Sequence, residues 1–137
     1  MPFIQQFDPT LVMLQKVLDL RAENQQVISS NIANADTPGY APATLEFEEQ
    51  LRSAMAGDGL KPVVTRPGHI PITPGDVSRV TGTISRHPDT TGIGDENGVS
   101  VDKEMVRLSE NQILYEAAVT MLNKKLAALK YVAGDGR

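Results

Sequence analysis

The sequence predicts a mainly α protein: two long terminal helices that pair as a coiled coil, joined by a turn-rich middle segment with at most a short β-hairpin. Three observations predict it. Residues 10–37 and 99–133 contain neither Gly nor Pro, and on both stretches apolar residues recur at steps of three and four. Eight of the eleven Gly and five of the nine Pro fall between Gly57 and Gly98. At 137 residues one core is the most the chain can build. It divides at 1–40 (N-terminal helix and turn), 41–98 (flexible Gly/Pro-rich middle) and 99–137 (C-terminal helix).

The first helix should begin at Asp8-Pro9, with an acidic N-cap followed by proline where a missing N–H costs nothing. Stepping from Phe7 gives Leu11, Leu14, Leu18, Arg21, Gln25, Ile28, Ile32 and Ala35, a seam with a polar interruption at mid-helix. The helix runs into Ser30-Asn-Ile-Ala-Asn-Ala-Asp-Thr-Pro-Gly-Tyr40. Pro38 forces Thr37 to be extended, and Pro38-Gly39 favours a type II turn, so the helix must stop near Asp36. Asn31 and Asn34 share a helix face where amides can bond a neighbour's backbone. Spacing alone leaves a plain helix terminator and an interaction site equally open.

The middle has no aromatic residue between Phe47 and Tyr115, and only nine aliphatic side chains larger than Ala between Gly57 and Gly98. That is too little apolar surface to order the segment alone. The β-branched run Val77–Ser85 suits a short strand or hairpin. The second helix should start near Val101, capped by Ser100 or Asp102, and end at Gly134. Its stepped seam is Met105, Leu108, Gln112, Tyr115, Val119, Leu122, Leu126, Leu129 and Ala133. Off the seams lie Val12, Met13, Val17, Leu20 and Val27 on the first helix, and Val106, Ile113, Leu114 and Met121 on the second. In so small a chain these point to other subunits.

Composition removes most chemistry. There is no Cys for a disulfide, thiolate site or cysteine nucleophile, and a net charge of -4 argues against nucleic acid as a partner. No apolar run approaches the roughly 18 residues of a membrane span, so no membrane insertion is expected, and residues 1–10 lack the pattern of a cleaved secretory signal. His69 and His87 are the two imidazoles and have no rigid acid partner in the pattern, so an enzyme is not expected. Asp95, Asn97, Gly98 and Glu104 match positions of a calcium loop, but Ile93 stands at its first position and has no oxygen to donate. No metal or other cofactor is expected.

The string Ser30–Tyr40 resembles the N-terminal signature of the axial proteins of the bacterial flagellum, the rod, hook and hook-associated family. Asn97, Val99, Lys103, Glu104, Met105, Leu108, Asn111 and Tyr115 stand where the C-terminal signature of that family has N-x-V, K-E-M, L, N and Y. Gly98, Ser100 and Leu126 depart from it. The short length, Phe47 after the turn and His69-Ile70 look most like its proximal rod members.

The resemblance implies a structural subunit without an active site. It would be exported unfolded and uncleaved by the flagellar type III apparatus and would polymerise through its terminal helices into the rod that carries torque from motor to hook. Implied partners are other rod proteins, the rod-to-MS-ring adaptor and the export gate, within a helical hetero-assembly in the periplasmic basal body. The implied interaction residues on the first flank are Leu11, Leu14, Leu18, Ile28, Asn31, Ile32, Asn34, Pro38, Gly39 and Tyr40. On the second they are Met105, Leu108, Asn111, Tyr115, Val119, Leu122, Leu126 and Leu129. Phe7-x-x-x-Leu11 resembles a short export-gate motif, with a core role competing equally. The alternative is a cytoplasmic helical-hairpin adaptor or chaperone that binds one partner helix.

Overall fold

The computed structural model describes residues 8–56, 77–92, 94 and 97–134. In chain order the elements are α1 (Pro9–Ala33), β1 (Ala43–Glu46), α2 (Glu48–Ala56), a 3-10 turn (Val77–Arg79), β2 (Thr83–Arg86) and α3 (Val101–Gly134). Asp8 is extended (φ -158°, ψ 102°), and its Oδ1 accepts the Thr10 N–H at 2.9 Å, capping α1 as the Asp-Pro pair predicts. The Ser100 carbonyl accepts the Glu104 N–H at 3.0 Å, so Ser100 rather than Asp102 flanks the start of α3. Gly134 is its last residue.

The two long helices pair antiparallel. Asp8 Oδ2 meets Lys125 Nζ at 2.9 Å, Asn24 Nδ2 donates to Asn111 Oδ1 at 2.9 Å, and Asn31 Nδ2 donates to Glu104 Oε2 at 3.0 Å, so the partner number falls as the α1 number rises. On α3 the buried or half-buried stripe is Glu104, Leu108, Asn111, Tyr115, Ala118, Leu122 and Lys125, alternating steps of four and three. On α1 Leu14, Asn24, Ile28 and Asn31 are buried.

This stripe lies one residue away from the apolar stepping at several places. Asn24 and Asn31 replace Gln25 and Ile32 on α1, while Glu104, Asn111 and Ala118 replace Met105, Gln112 and Val119 on α3. Met105, Leu126 and Leu129 are therefore exposed rather than seam residues. One residue turns a helix by about 100°, enough to move a side chain off the contact line. Leu126 and Leu129 also lie beyond Lys125, the α3 residue paired with the N-cap of α1.

A second face of α1 is covered by the chain itself. Leu20 packs in one cluster with Leu45, Phe47, Leu51, Ala54 and Val80, with Val17, Val27 and Val77 against it. This corrects the expectation that Val17, Leu20 and Val27 need other subunits. β1 and β2 form an antiparallel pair with Ala43 opposite Arg86 and Glu46 opposite Thr83. Only the end of the β-branched run is a strand; Val77–Arg79 turns as 3-10 helix to bring Val80 into the cluster. Arg21 holds the edge of this cluster, with its guanidinium 4.9 Å from the Phe47 ring centroid and 3.0 Å from Glu48 Oε1. Among the described residues no helix is long and apolar enough to cross a membrane.

Candidate functional site

The site is the place where the two terminal motifs meet. After α1 the Asn34 N–H bonds Ser30 O at 3.1 Å and the Ala35 N–H bonds Ile32 O at 3.2 Å, tightening the last turn. The Tyr40 N–H then bonds Thr37 O at 3.3 Å across Pro38 and Gly39, and Gly39 has φ 71°, the arrangement a type II turn requires. This exit turns the carbonyls of Asn34, Ala35 and Thr37 out of the helical ladder, with Asn34 O keeping the Thr37 N–H at 3.0 Å and Thr37 O the Tyr40 N–H as backbone partners. All three converge on Asn97 Nδ2, at 3.0 Å for Asn34 and 2.9 Å for Thr37. Asn97 Oδ1 accepts the Val99 N–H at 2.9 Å, which turns the chain into α3. A residue from the second motif thus caps the helix that the first motif ends.

Asn31 is the hub. Its Nδ2 donates to Ala43 O at 2.7 Å and to Glu104 Oε2 at 3.0 Å, while its Oδ1 accepts the Ala43 N–H at 2.9 Å and the Tyr40 hydroxyl at 3.2 Å. Both amide protons and both acceptor positions are used, on a side chain with 0% exposure. One side chain therefore ties α1, the turn, β1 and α3 together. Glu104, also buried, accepts from Arg107 Nη1 at 3.0 Å through its other oxygen. A layer deeper, Asn111 accepts from Asn24 and donates through Nδ2 to the Arg21 carbonyl at 2.8 Å. Asn24 Oδ1 is buried without a hydrogen-bond partner.

At the open end of the pair Lys125 and the Thr10 N–H hold the Asp8 carboxyl below the usual carboxylate range.

The polar layers follow heptads: Asn24 and Asn31 are seven residues apart, as are Glu104 and Asn111. Polar residues at such positions specify register at a cost in stability. A half-heptad slip would strand three asparagines and a carboxylate among apolar neighbours. What this arrangement does is fix geometry; it offers no nucleophile and base in contact. Among the described residues no group of carboxylates and histidines could hold a metal ion.

The expected interaction residues divide three ways. Leu14, Ile28, Asn31 and Asn111 are buried in the pair, and Leu11, Leu18, Ile32, Leu108, Tyr115, Val119 and Leu122 are half-buried. Asn34 stays local, donating to Ser30 O at 2.8 Å and accepting from Thr37 Oγ1 at 3.2 Å, and Tyr40 rests on Asn31 and Ser30. Pro38, Gly39, Met105, Leu126 and Leu129 are exposed. Phe7 and His69 lie outside the described residues, as do Ile93, Asp95 and Glu96 of the calcium-loop near miss; His87 is exposed.

The apolar stepping passed over Asn24, Asn97 and Glu104; the heptad spacing of the polar residues is the signal that finds Asn24 and Glu104. The face of α3 turned away from α1 carries Val106, Ile113, Leu114 and Met121, with Ile113 66% and Met121 60% exposed.

The sequence signature of the family described as flagella basal body rod protein matches residues 18–40, which end on the turn just described. The chain is 32% identical to the flagellar basal body rod protein FlgB of Yersinia enterocolitica, covering 97% of this chain and 99% of the relative. It is 30% identical to FlgB of Escherichia coli K12 over 97% and 99% of the two chains. FlgB of Bacillus subtilis is 34% identical over 96% and 98%.

Proposed function

The chain belongs to the FlgB family of flagellar basal-body rod proteins, and from that premise we propose that it is a proximal rod subunit that is exported unfolded and polymerises through its terminal helices. Membership makes it a structural component of the basal-body rod and not an enzyme. The finer reading adds the periplasmic rod as its place, other rod proteins and the rod-to-MS-ring adaptor as neighbours, the type III export gate as its route, and torque transmission as its task.

One observation carries the proposal: the outer face of α3. Val106, Ile113, Leu114 and Met121 are exposed there along a helix that already spends its other face on α1. Each is roughly half to two-thirds exposed, so covering it gains about 1–2 kcal/mol, a driving force the folded chain leaves unused. The α1–α3 seam supports the export half. Two of its layers are polar, which fixes register at a cost in stability, so the pair opens more readily for passage than an all-apolar seam would.

The test is substitution of Ile113 and Met121 by Asp, both too exposed to disturb the fold. Export into the periplasm should persist while recovery of the chain in purified basal bodies is lost. Normal incorporation of the double variant would remove the α3 face from the mechanism. Retention of the wild-type chain in the cytoplasm, bound to one partner, would favour the adaptor alternative.

A further inference from the structure

We infer that the outer face of α3 takes the α3 of a second copy of this chain, parallel and displaced by two heptads; this rests on the rod reading above and adds the identity and offset of the neighbour. Charge on α3 is segregated. Residues 101–117 hold four acidic and two basic side chains, whereas residues 118–134 hold three lysines and no carboxylate. The spacing fits as well: Glu110 precedes Lys124 by 14 residues, two heptads, and both are exposed. A neighbouring α3 shifted by 14 residues, about 21 Å along the axis, sets Glu110 of one copy beside Lys124 of the next.

The same shift matches shape. It lays Ile113 beside Ala127 and Ala117 beside Tyr131, each a large side chain against a small one on the seam that holds Glu110, and all four are exposed. An unshifted parallel pair would set Glu110 against Glu110 and Ile113 against Ile113. An antiparallel pair also joins unlike charges, but it is two-fold symmetric, closes on itself and ends growth, whereas a displaced parallel pair is head-to-tail and leaves both ends open.

The chain has no Cys, so a disulfide between introduced residues reports one contact. Glu110→Cys and Lys124→Cys placed together in the full chain cannot bridge within one helix, because about 21 Å separates positions whose Cα atoms must come within roughly 7 Å. In basal bodies oxidised and run without reductant, the double variant should give a ladder of dimers, trimers and higher species. Either single variant should give none.

Bands that stop at dimer would overturn the proposal in favour of the closed antiparallel pair. Dimers from Glu110→Cys alone would overturn it in favour of the unshifted pair. A chain present in basal bodies without any such cross-link would mean that a different rod protein covers this face, and would also overturn it. A chain absent from basal bodies would instead refute the rod reading on which it stands.

Discussion

Asn31→Ala isolates what the meeting of the two motifs contributes. The substitution removes four hydrogen bonds from a side chain with 0% exposure. At about 1 kcal/mol net per bond this alone is roughly 4 kcal/mol, and the buried Ala43 N–H and C=O and the Glu104 carboxylate are left short of partners. The expected loss is about 3–5 kcal/mol, a large part of the 5–15 kcal/mol typical of a whole domain. Urea unfolding of the purified chain followed by far-UV circular dichroism measures it. With a slope near 2 kcal/mol per molar, the midpoint should fall by about 2 M. Asn34→Ala is the control: it removes two local bonds at the surface and should cost no more than about 1 kcal/mol. A midpoint shift below about 0.5 M for Asn31→Ala, or equal shifts for the two variants, would refute the hub.

Gly39 and Gly82 share a left-handed φ, 71° and 72°, but differ in surroundings. An added Cβ meets nothing at Gly39 and lies 3.0 Å from Leu45 Cδ1 at Gly82, so Gly39→Ala should cost about 1–2 kcal/mol and Gly82→Ala clearly more, by the same urea assay. At the open end of the pair the Asp8 carboxyl is held low first by Lys125 and then by the Thr10 N–H. A depressed folded-state pKa means the contribution is present above the unfolded value near 3.8 and is lost as pH falls through the lower folded value. Carboxyl-carbon NMR should show Asp8 titrating below 3.8, and Lys125→Met should raise its midpoint.

Local chemistry was legible where one short segment decides the outcome. Asp8-Pro9 marks the start of α1, Pro38-Gly39 marks the type II turn, and Ser100 and Gly134 bracket α3. The phase of the seam was half legible. Leu14, Ile28, Leu108, Tyr115 and Leu122 lie on or beside it as apolar stepping predicts, but that stepping skips the polar residues at the contact line, because Asn24, Asn31, Glu104 and Asn111 are buried only by virtue of partners on the other helix. The core under α1 was the least legible part. Leu20, Leu45 and Val80 come from segments far apart in the chain, and the four residues Ala43–Glu46 carry little strand signal until β2 pairs with them. Asn97 was visible as part of a family pattern, yet its task depends on three carbonyls some sixty residues upstream.

That last contact ties completion of the molecule to the order in which its parts arrive. Any process that delivers the polypeptide amino end first, by synthesis or by threading through a narrow passage, releases residues 34–37 long before Asn97 is available to cover their carbonyls. Until then the end of the leading helix stays wet and prone to fray, and the trailing third of the chain supplies the finishing stitch.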